Sequence, residues 1–312
     1  MIRGLRLLSR QVLGINRRNY DLLARYNPRA FFQVVDHKLK TKHALTSIGV
    51  PVVDTMAEYR LQNDIKRFAS DSRSWREFVI KPAQGSGGGG VIVVTDRRGK
   101  QFETLGGRYL SLRQLESHLS DILGGVYSLN QRYDEAMVER RIHAHPVLAA
   151  LSSQGLPDLR IVVFRGVPLL AMLRLATKAS RGRANLHVGG IGVGVDLVSG
   201  RATAAIAGKR QIFTHPDTDQ PLLGVQIPCW EDTLGIAARC ADAVALGYLG
   251  VDMTLDVEHG PLVLELNARP GLAIQLANRR GLRPLLTAAE QCIRPGLSVA
   301  ERVQLGRQLS QS

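Results

Sequence analysis

The sequence predicts a mixed α/β (α+β) chain whose chemistry sits on antiparallel hairpins. Three observations point there. Strand-like runs come in pairs joined by short turns, at 159–176 and again at 251–267, where apolar and polar residues alternate. A glycine-rich loop, 84–90, lies between two further strand-like runs rather than between a strand and a helix. Segments with helical spacing, 36–50, 111–124 and 231–246, separate these pairs.

Composition sets the bounds. The chain has 312 residues, 45% hydrophobic and 22% charged, too apolar for a disordered chain. At about 150 residues per domain the length allows one large domain or two subdomains sharing a cleft. No uncharged apolar run approaches the ~18 residues of a transmembrane helix. Three cysteines, Cys229, Cys240 and Cys292, exclude a disulfide scaffold and fit a reducing, cytoplasmic setting. Their spacing suits no metal, and they read as small buried hydrophobes. The formal charge of +14 favours an anionic partner: nucleotide, acidic peptide, lipid surface or nucleic acid. Only 5% of residues are aromatic, with no basic–aromatic interleaving, which argues against single-strand nucleic-acid binding.

Residues 2–13 read as a short basic amphipathic helix. A helix packed on the body, a surface for lipid or acidic partners, and an Arg-rich leader all fit it, whereas arginines interrupt any secretory apolar core. Residues 36–50 read as a helix ending at Gly49, and Val50–Val53 as a strand edged by Pro51. Residues 57–71 read as helical. Phe78–Lys81 and Val91–Thr95 read as strands around the glycine loop. Then come a helix over 111–124, a strand at Ala136–Arg140, a hairpin of Leu159–Phe164 with Pro168–Ala176, and a Gly-rich loop over Lys178–Gly194. A helix over 231–246 and the hairpin of Val251–Val257 with Leu262–Asn267 follow.

Residues 85–90 match G-x-G-x-x-G, but the β-branched run Val91–Val94 follows, so the loop caps a hairpin and not a dinucleotide-type helix. Bare backbone N–H groups in such a flap can approach phosphate oxygens, and Lys81 stands just ahead of it. A merely flexible turn is the alternative. In the acidic hairpin, pairing Val257 with Leu262 sets Thr254 opposite Glu265 and Asp252 opposite Asn267. Period-two alternation puts all four on one face. Asp252, Glu265 and Asn267 then form a hard oxygen site for Mg²⁺ or Mn²⁺. The alternative is a solvated polar sheet face.

Further segments fall in a telling order: Asp36-His37-Lys38-Leu39 with Thr41-Lys42 and Gly49-Val50-Pro51, then Phe78-Val79-Ile80-Lys81-Pro82 and the glycine run. Val138-Glu139-Arg140-Arg141-Ile142, Asp158-Leu159-Arg160 and Ala171-Met172-Leu173-Arg174 follow. The last are Arg183-Ala184-Asn185-Leu186-His187-Val188-Gly189-Gly190 and Glu265-Leu266-Asn267-Ala268-Arg269-Pro270-Gly271. Over roughly residues 36–275 this pattern resembles the ATP-grasp ligases, and more narrowly their alpha-L-glutamate ligase-like (RimK-related) branch. His37 stands where the branch often has Asp, and Val188 replaces an arginine.

The resemblance implies an ATP-grasp fold, two α+β subdomains clasping ATP. A basic helical segment, 1–35, takes the place of the usual preceding domain, the ligase domain covers 36–295, and a tail covers 296–312. It implies a carboxylate–amine ligase forming an amide through an acyl phosphate with release of ADP, adding glutamate or acting on an acidic peptide. A sugar-transfer-linked ATP-grasp modification, or an inactive nucleotide-fold binder of anionic partners, is the alternative. Lys38 and Lys81 would neutralise the phosphates beneath a flap of Gly85, Ser86, Gly87, Gly88 and Gly89. The backbone of Glu139, Arg140, Arg141 and Ile142 would read the purine. Arg174 and Arg269 would steady the transferring group with Arg160 nearby, and Asn185 and His187 would orient amine or phosphate. ATP and Mg²⁺ or Mn²⁺ are the implied cofactors. Oligomeric state is left open.

Overall fold

The computed structural model describes residues 11–85, 87–128, 131–152 and 154–312. The expectation for residues 2–13 falls largely outside them, as does Ser86. The chain divides into two compact units, a smaller one of residues 37–39 and 53–142 and a larger one holding the rest.

The smaller unit is a six-stranded antiparallel sheet. Its strands are β1 (Thr55–Tyr59), β2 (Phe78–Pro82), β3 (Ile92–Arg98), β4 (Gln101–Thr104), β5 (Tyr109–Ser111) and β6 (Ala136–Glu139), in the order β1-β6-β2-β3-β4-β5. Strand β2 shows why: Phe78, Ile80 and Pro82 are buried while Val79 and Lys81 face the other way. Phe78 meets Phe102 edge to face at 5.8 Å, and Tyr59, Phe68, Leu115, Leu119 and Ile122 complete that core. The helix Leu112–Leu123 opens on a capping box. Ser111 Oγ accepts from Gln114 N at 3.3 Å, and the Gln114 side chain accepts from Ser111 N at 2.8 Å. Its Leu115, Leu119 and Ile122 recur at helical spacing and are fully buried.

The larger unit is a seven-stranded antiparallel sheet. Its strands are β7 (Asp158–Phe164), β8 (Val167–Leu175), β9 (Ile191–Val195), β10 (Ala202–Ala207), β11 (Arg210–Ile212), β12 (Tyr248–Asp256) and β13 (Gly260–Asn267), in the order β11-β10-β9-β8-β7-β12-β13. Strand alternation sorts the side chains into two cores. Leu159, Ile161, Leu173, Val251 and Met253 join one with the helix Trp230–Ala243. Val162, Phe164, Leu170, Met172 and Tyr248 join the other with the helix Leu282–Cys292. A last helix, Val299–Gln311, packs Gly306 so closely on Pro168 that a Cβ there would lie 2.2 Å from its carbonyl oxygen. Among the described residues no helix is long and apolar enough to cross a membrane.

The mixed α/β expectation and its hairpins hold, and the helices run Lys38–Ser47, Leu112–Leu123 and Trp230–Ala243. Four expectations fail. Residues 57–71 are not one helix: β1 takes Thr55–Tyr59, and 3-10 and single helical turns follow. Val50–Val53 forms no strand, only a single parallel bridge from Val52 to Val263. The Gly-rich loop ends at residue 190, because Gly192 and Gly194 belong to β9. Those glycines let Ala277 approach, and a Cβ on Gly194 would come within 2.5 Å of the Ala277 carbonyl oxygen. Cys229 and Cys292 are exposed, and only Cys240 is buried.

Candidate active site

In the larger unit the sheet register assembles a charged cluster. Arg160 on β7 is the direct cross-strand neighbour of Asp252 on β12, and Glu265 on β13 is its neighbour on the other side. Asp158 and Arg174 oppose each other across β7 and β8. The positions 158, 160, 162 and 164 share a face, so this cluster continues the face that Val162 and Phe164 cover with apolar side chains. Asp252 is 1% exposed. Arg160 grips it with a fork, Nε to Oδ1 at 2.7 Å and Nη2 to Oδ2 at 2.5 Å. Arg174 adds Nη2 to Oδ2 at 2.8 Å and donates its Nε to Asp158. The Asn267 amide donates to Asp252 Oδ2 at 3.1 Å.

Two buried carboxylates thus share two guanidiniums, and they respond oppositely. Burial drives the Asp158 carboxyl up to about 7 against the pull of Arg174. At Asp252 burial also opposes the charge, but Arg160 and Arg174 outweigh it and hold the group below the usual carboxylate range.

The expected hairpin register is corrected here. Thr254 faces Leu262, Asp252 faces Glu265 and Gly250 faces Asn267, with a bulge between Asp252 and Met253. The buried Asp256 carboxylate is the reason. It accepts the backbone N–H groups of Glu258 and His259 at 3.0 Å each, which tightens the turn and makes Gly260 and Pro261 part of the strand. Thr254 consequently turns to the Pro157 carbonyl at 2.8 Å. The oxygen donors Asp252, Glu265 and Asn267 still come together. They suit a hard divalent cation in kind, although Asp252 is already bonded to arginine. Among the described residues no group of three His, Cys, Asp or Glu side chains that could hold a metal ion is found, and the third candidate donor is the Asn267 amide.

In the smaller unit β2 and β3 pair with Ile80 opposite Ile92, so the glycine loop does cap a hairpin. Gly87, Gly88 and Gly90 have φ of 62°, 79° and 74°, the left-handed region that favours glycine. Lys38 Nζ donates to the Gly85 carbonyl at 2.5 Å. Lys81 Nζ lies 2.5 Å from Glu139 Oε2, a carboxylate almost fully buried in the middle of the sheet. Glu139 is therefore a lysine partner through its side chain, and its backbone lies in the ladder between Thr55 and Val79. Beyond it, Arg140 N bonds the Asp54 carbonyl at 3.1 Å, Arg141 reaches Glu77 at 2.9 Å, and Ile142 is partly buried.

Other expected residues make their hydrogen bonds and ion pairs with groups outside the Asp252 cluster. The Arg269 guanidinium pairs with Asp36 at 2.6 Å and covers the Phe32 ring. Asn185 Oδ1 accepts from His187 N at 3.0 Å and caps the turn Leu186–Val188, and His187 itself is exposed. Two further residues belong to these networks. Asp158 is visible in the sequence only through the D-x-R spacing. Asp134, 4% exposed, accepts from Gln84 N and from Ser128 Oγ at 2.7 Å and so anchors the root of the flap. No local motif marks it.

A family model described as sugar-transfer associated ATP-grasp matches residues 17–291. No curated protein matches the sequence. Among solved structures, the chain is similar to the ATP-grasp ligase PsnB complexed with a minimal precursor, at 16% identity and a TM-score of 0.46, over 85% of this chain and 62% of that one. It is similar to the D-cycloserine synthetase DcsG at 14% identity and 0.45, over 91% and 73%. It is also similar to the D-alanine–D-alanine ligase from Bacillus anthracis complexed with ATP, at 15% and 0.42, over 89% and 65%. The chain thus spans less than two thirds of PsnB and of the D-alanine ligase.

Proposed function

The chain belongs to the sugar-transfer associated ATP-grasp family, and from that premise we propose that it is an ATP-dependent ligase joining a carboxylate to an amine. The carboxylate takes the γ-phosphoryl group of ATP, giving an acyl phosphate and ADP. The amine then attacks the acyl carbon, phosphate leaves, and the amine's surplus proton passes to solvent. The observation that carries this reading is the row of Glu265, the buried Asp252 and Arg160 in direct cross-strand register, with Arg174 and Asn267 on the same carboxylate. It combines oxygen donors for a cation with guanidiniums for anions, the two needs of bringing a carboxylate to a triphosphate.

Asp252, Glu265 and Asn267 would hold Mg²⁺ or Mn²⁺, which supplies charge neutralisation at the phosphates. Arg160 and Arg174 would bind the carboxylate or the group in transfer. Lys38 and Lys81 would neutralise α- and β-phosphate oxygens, with Gly87, Gly88 and Gly89 of the loop offering backbone N–H groups. The segment Glu139–Ile142 would meet the purine through its backbone. Arg269, Asn185 and His187 would contribute on the substrate side.

For the substrate, the charge of +14 and the guanidinium pair favour an acidic amino acid such as glutamate, or an acidic peptide. The family description favours a second reading, in which one partner is carried on a sugar. An ADP-release screen over amino acids, acidic peptides, amino sugars and uronic acids, with mass spectrometry of products, separates them. Release of AMP, or no release with any pair, would reject the ligase. A glutamate-dependent reaction should show a KM for glutamate that rises with ionic strength.

A further inference from the structure

The cation reading meets an obstacle at Asp252 that the register itself creates. Oδ2 accepts from Arg160 at 2.5 Å, Arg174 at 2.8 Å and Asn267 at 3.1 Å, and Oδ1 accepts from Arg160 at 2.7 Å. A carboxylate oxygen offers about two lone-pair directions. Three donors already crowd Oδ2, so a cation takes its place only where a donor leaves. The two guanidiniums are unequal in this respect. Arg174 keeps Asp158 when it gives up Asp252. Among the described residues, both hydrogen bonds of Arg160 go to Asp252, and its side chain is 13% exposed. A largely buried guanidinium deprived of its carboxylate is costly. A planar fork regains what it lost from another carboxylate or from a phosphate.

We propose that a divalent cation and the Arg160 guanidinium are alternative occupants of Asp252, so that cation binding turns Arg160 from a lock on that carboxylate into the receptor for an anionic substrate group. The inference rests on the cation reading of the same residues. Its consequence is thermodynamic. Cation and anion help each other to bind, because the anion removes the cost of releasing Arg160, and the coupling is reciprocal. A row of pre-formed, independent sites has no such coupling.

The test is Mn²⁺ binding to the full chain without nucleotide, read from the paramagnetic resonance of free Mn²⁺. Saturating acetate, a bare carboxylate with weak affinity for Mn²⁺, is expected to tighten Mn²⁺ binding to the wild-type protein by about fivefold or more. Arg160→Met is expected to bind Mn²⁺ about tenfold more tightly than wild type and to lose the acetate effect. Arg160→Lys keeps the charge but not the fork, and is expected to bind Mn²⁺ more tightly than wild type with a reduced acetate effect. It separates displacement of the fork from mere loss of charge, and it serves should the Met variant not fold. Absence of the acetate effect in wild type overturns the proposal, as does Mn²⁺ binding in the Lys variant no tighter than in wild type, or no Mn²⁺ binding by any form. A failed ADP-release screen beside an intact acetate effect rejects the ligase reading and keeps this one. The opposite pair of results does the reverse.

Discussion

Both oxygens of Asp134 accept the backbone N–H of Gln84, at 3.1 Å each, and this contact fixes the entry to the glycine loop. The carboxylate is almost fully buried and also takes the Ser128 hydroxyl and the Glu135 N–H at 2.7 Å each. The exit of the loop is held separately, by His118 Nε2 on the Gly90 carbonyl at 2.8 Å. Asp134→Ala strands these donors in the protein and is expected to cost about 1–3 kcal/mol. It should also raise the KM for ATP by loosening the flap. Asp134→Asn keeps an acceptor and should lie between the two. Urea unfolding beside ATP titration checks both; a KM unchanged in the Ala variant would show that the loop root does not position phosphate contacts.

The glycines of the flap answer to different constraints. A Cβ on Gly90 would come within 2.6 Å of the Tyr127 ring, whereas a Cβ on Gly87 would meet nothing within 4 Å. Both have positive φ, so Ala at either costs about 1 kcal/mol in backbone strain. Gly90→Val is therefore expected to destabilise the protein clearly through its clash. Gly87→Val should leave the melting temperature close to that of Gly87→Ala while raising the KM for ATP, because its side chain stands where phosphate would approach. Thermal melts and ATP kinetics on the pair give the comparison.

The candidate site was legible where period-two alternation alone decides it. Asp252, Glu265 and Asn267 share a face under either register, so the donor set survives a slipped pairing. The pairing itself was not legible, since the turn is set by Asp256, whose carboxylate bonds the backbone N–H groups of Glu258 and His259. Asp158 and Arg174 meet because β7 and β8 pair as the expected hairpin, a relation that the D-x-R spacing alone does not encode. Arg269 follows the hairpin closely in sequence yet folds back onto Asp36, a partner more than two hundred residues away. Glycine misled in one place: at 192 and 194 it marks close packing in a strand, not a loop.

Asp252 and Glu265 of the hairpin should separate stability from chemistry. Asp252 is buried and holds two arginines, whereas Glu265 is only partly buried. Asp252→Ala leaves both guanidiniums short of a counter-charge, and breaking a buried pair in this way costs about 3–5 kcal/mol. Glu265→Gln should cost under about 1 kcal/mol, as an exposed-side change does. Both are expected to lose ADP release at saturating Mg²⁺. Turnover near wild type in Glu265→Gln would remove it from the cation site.

A double substitution can pull apart the contact of Lys81 with Glu139 and its proposed contact with phosphate. Its ammonium sits 2.5 Å from Glu139 Oε2, and that carboxylate is 5% exposed. Lys81→Ala removes the ammonium from a buried acid, so the protein should lose stability as well as ATP affinity. A drop in activity from this variant alone therefore says little about phosphate binding. Glu139→Gln lowers the charge that Lys81 compensates, and in a Lys81→Ala background it should recover part of the lost stability, giving a coupling of about 0.5–3 kcal/mol between the two positions. ATP affinity should stay low in the double variant, because neither alanine nor glutamine offers a cation to phosphate. Denaturant unfolding gives the stability arm, and direct titration with a non-hydrolysable ATP analogue gives the binding arm. Recovery of both together would make Lys81 a structural partner of Glu139 and take it out of the nucleotide site.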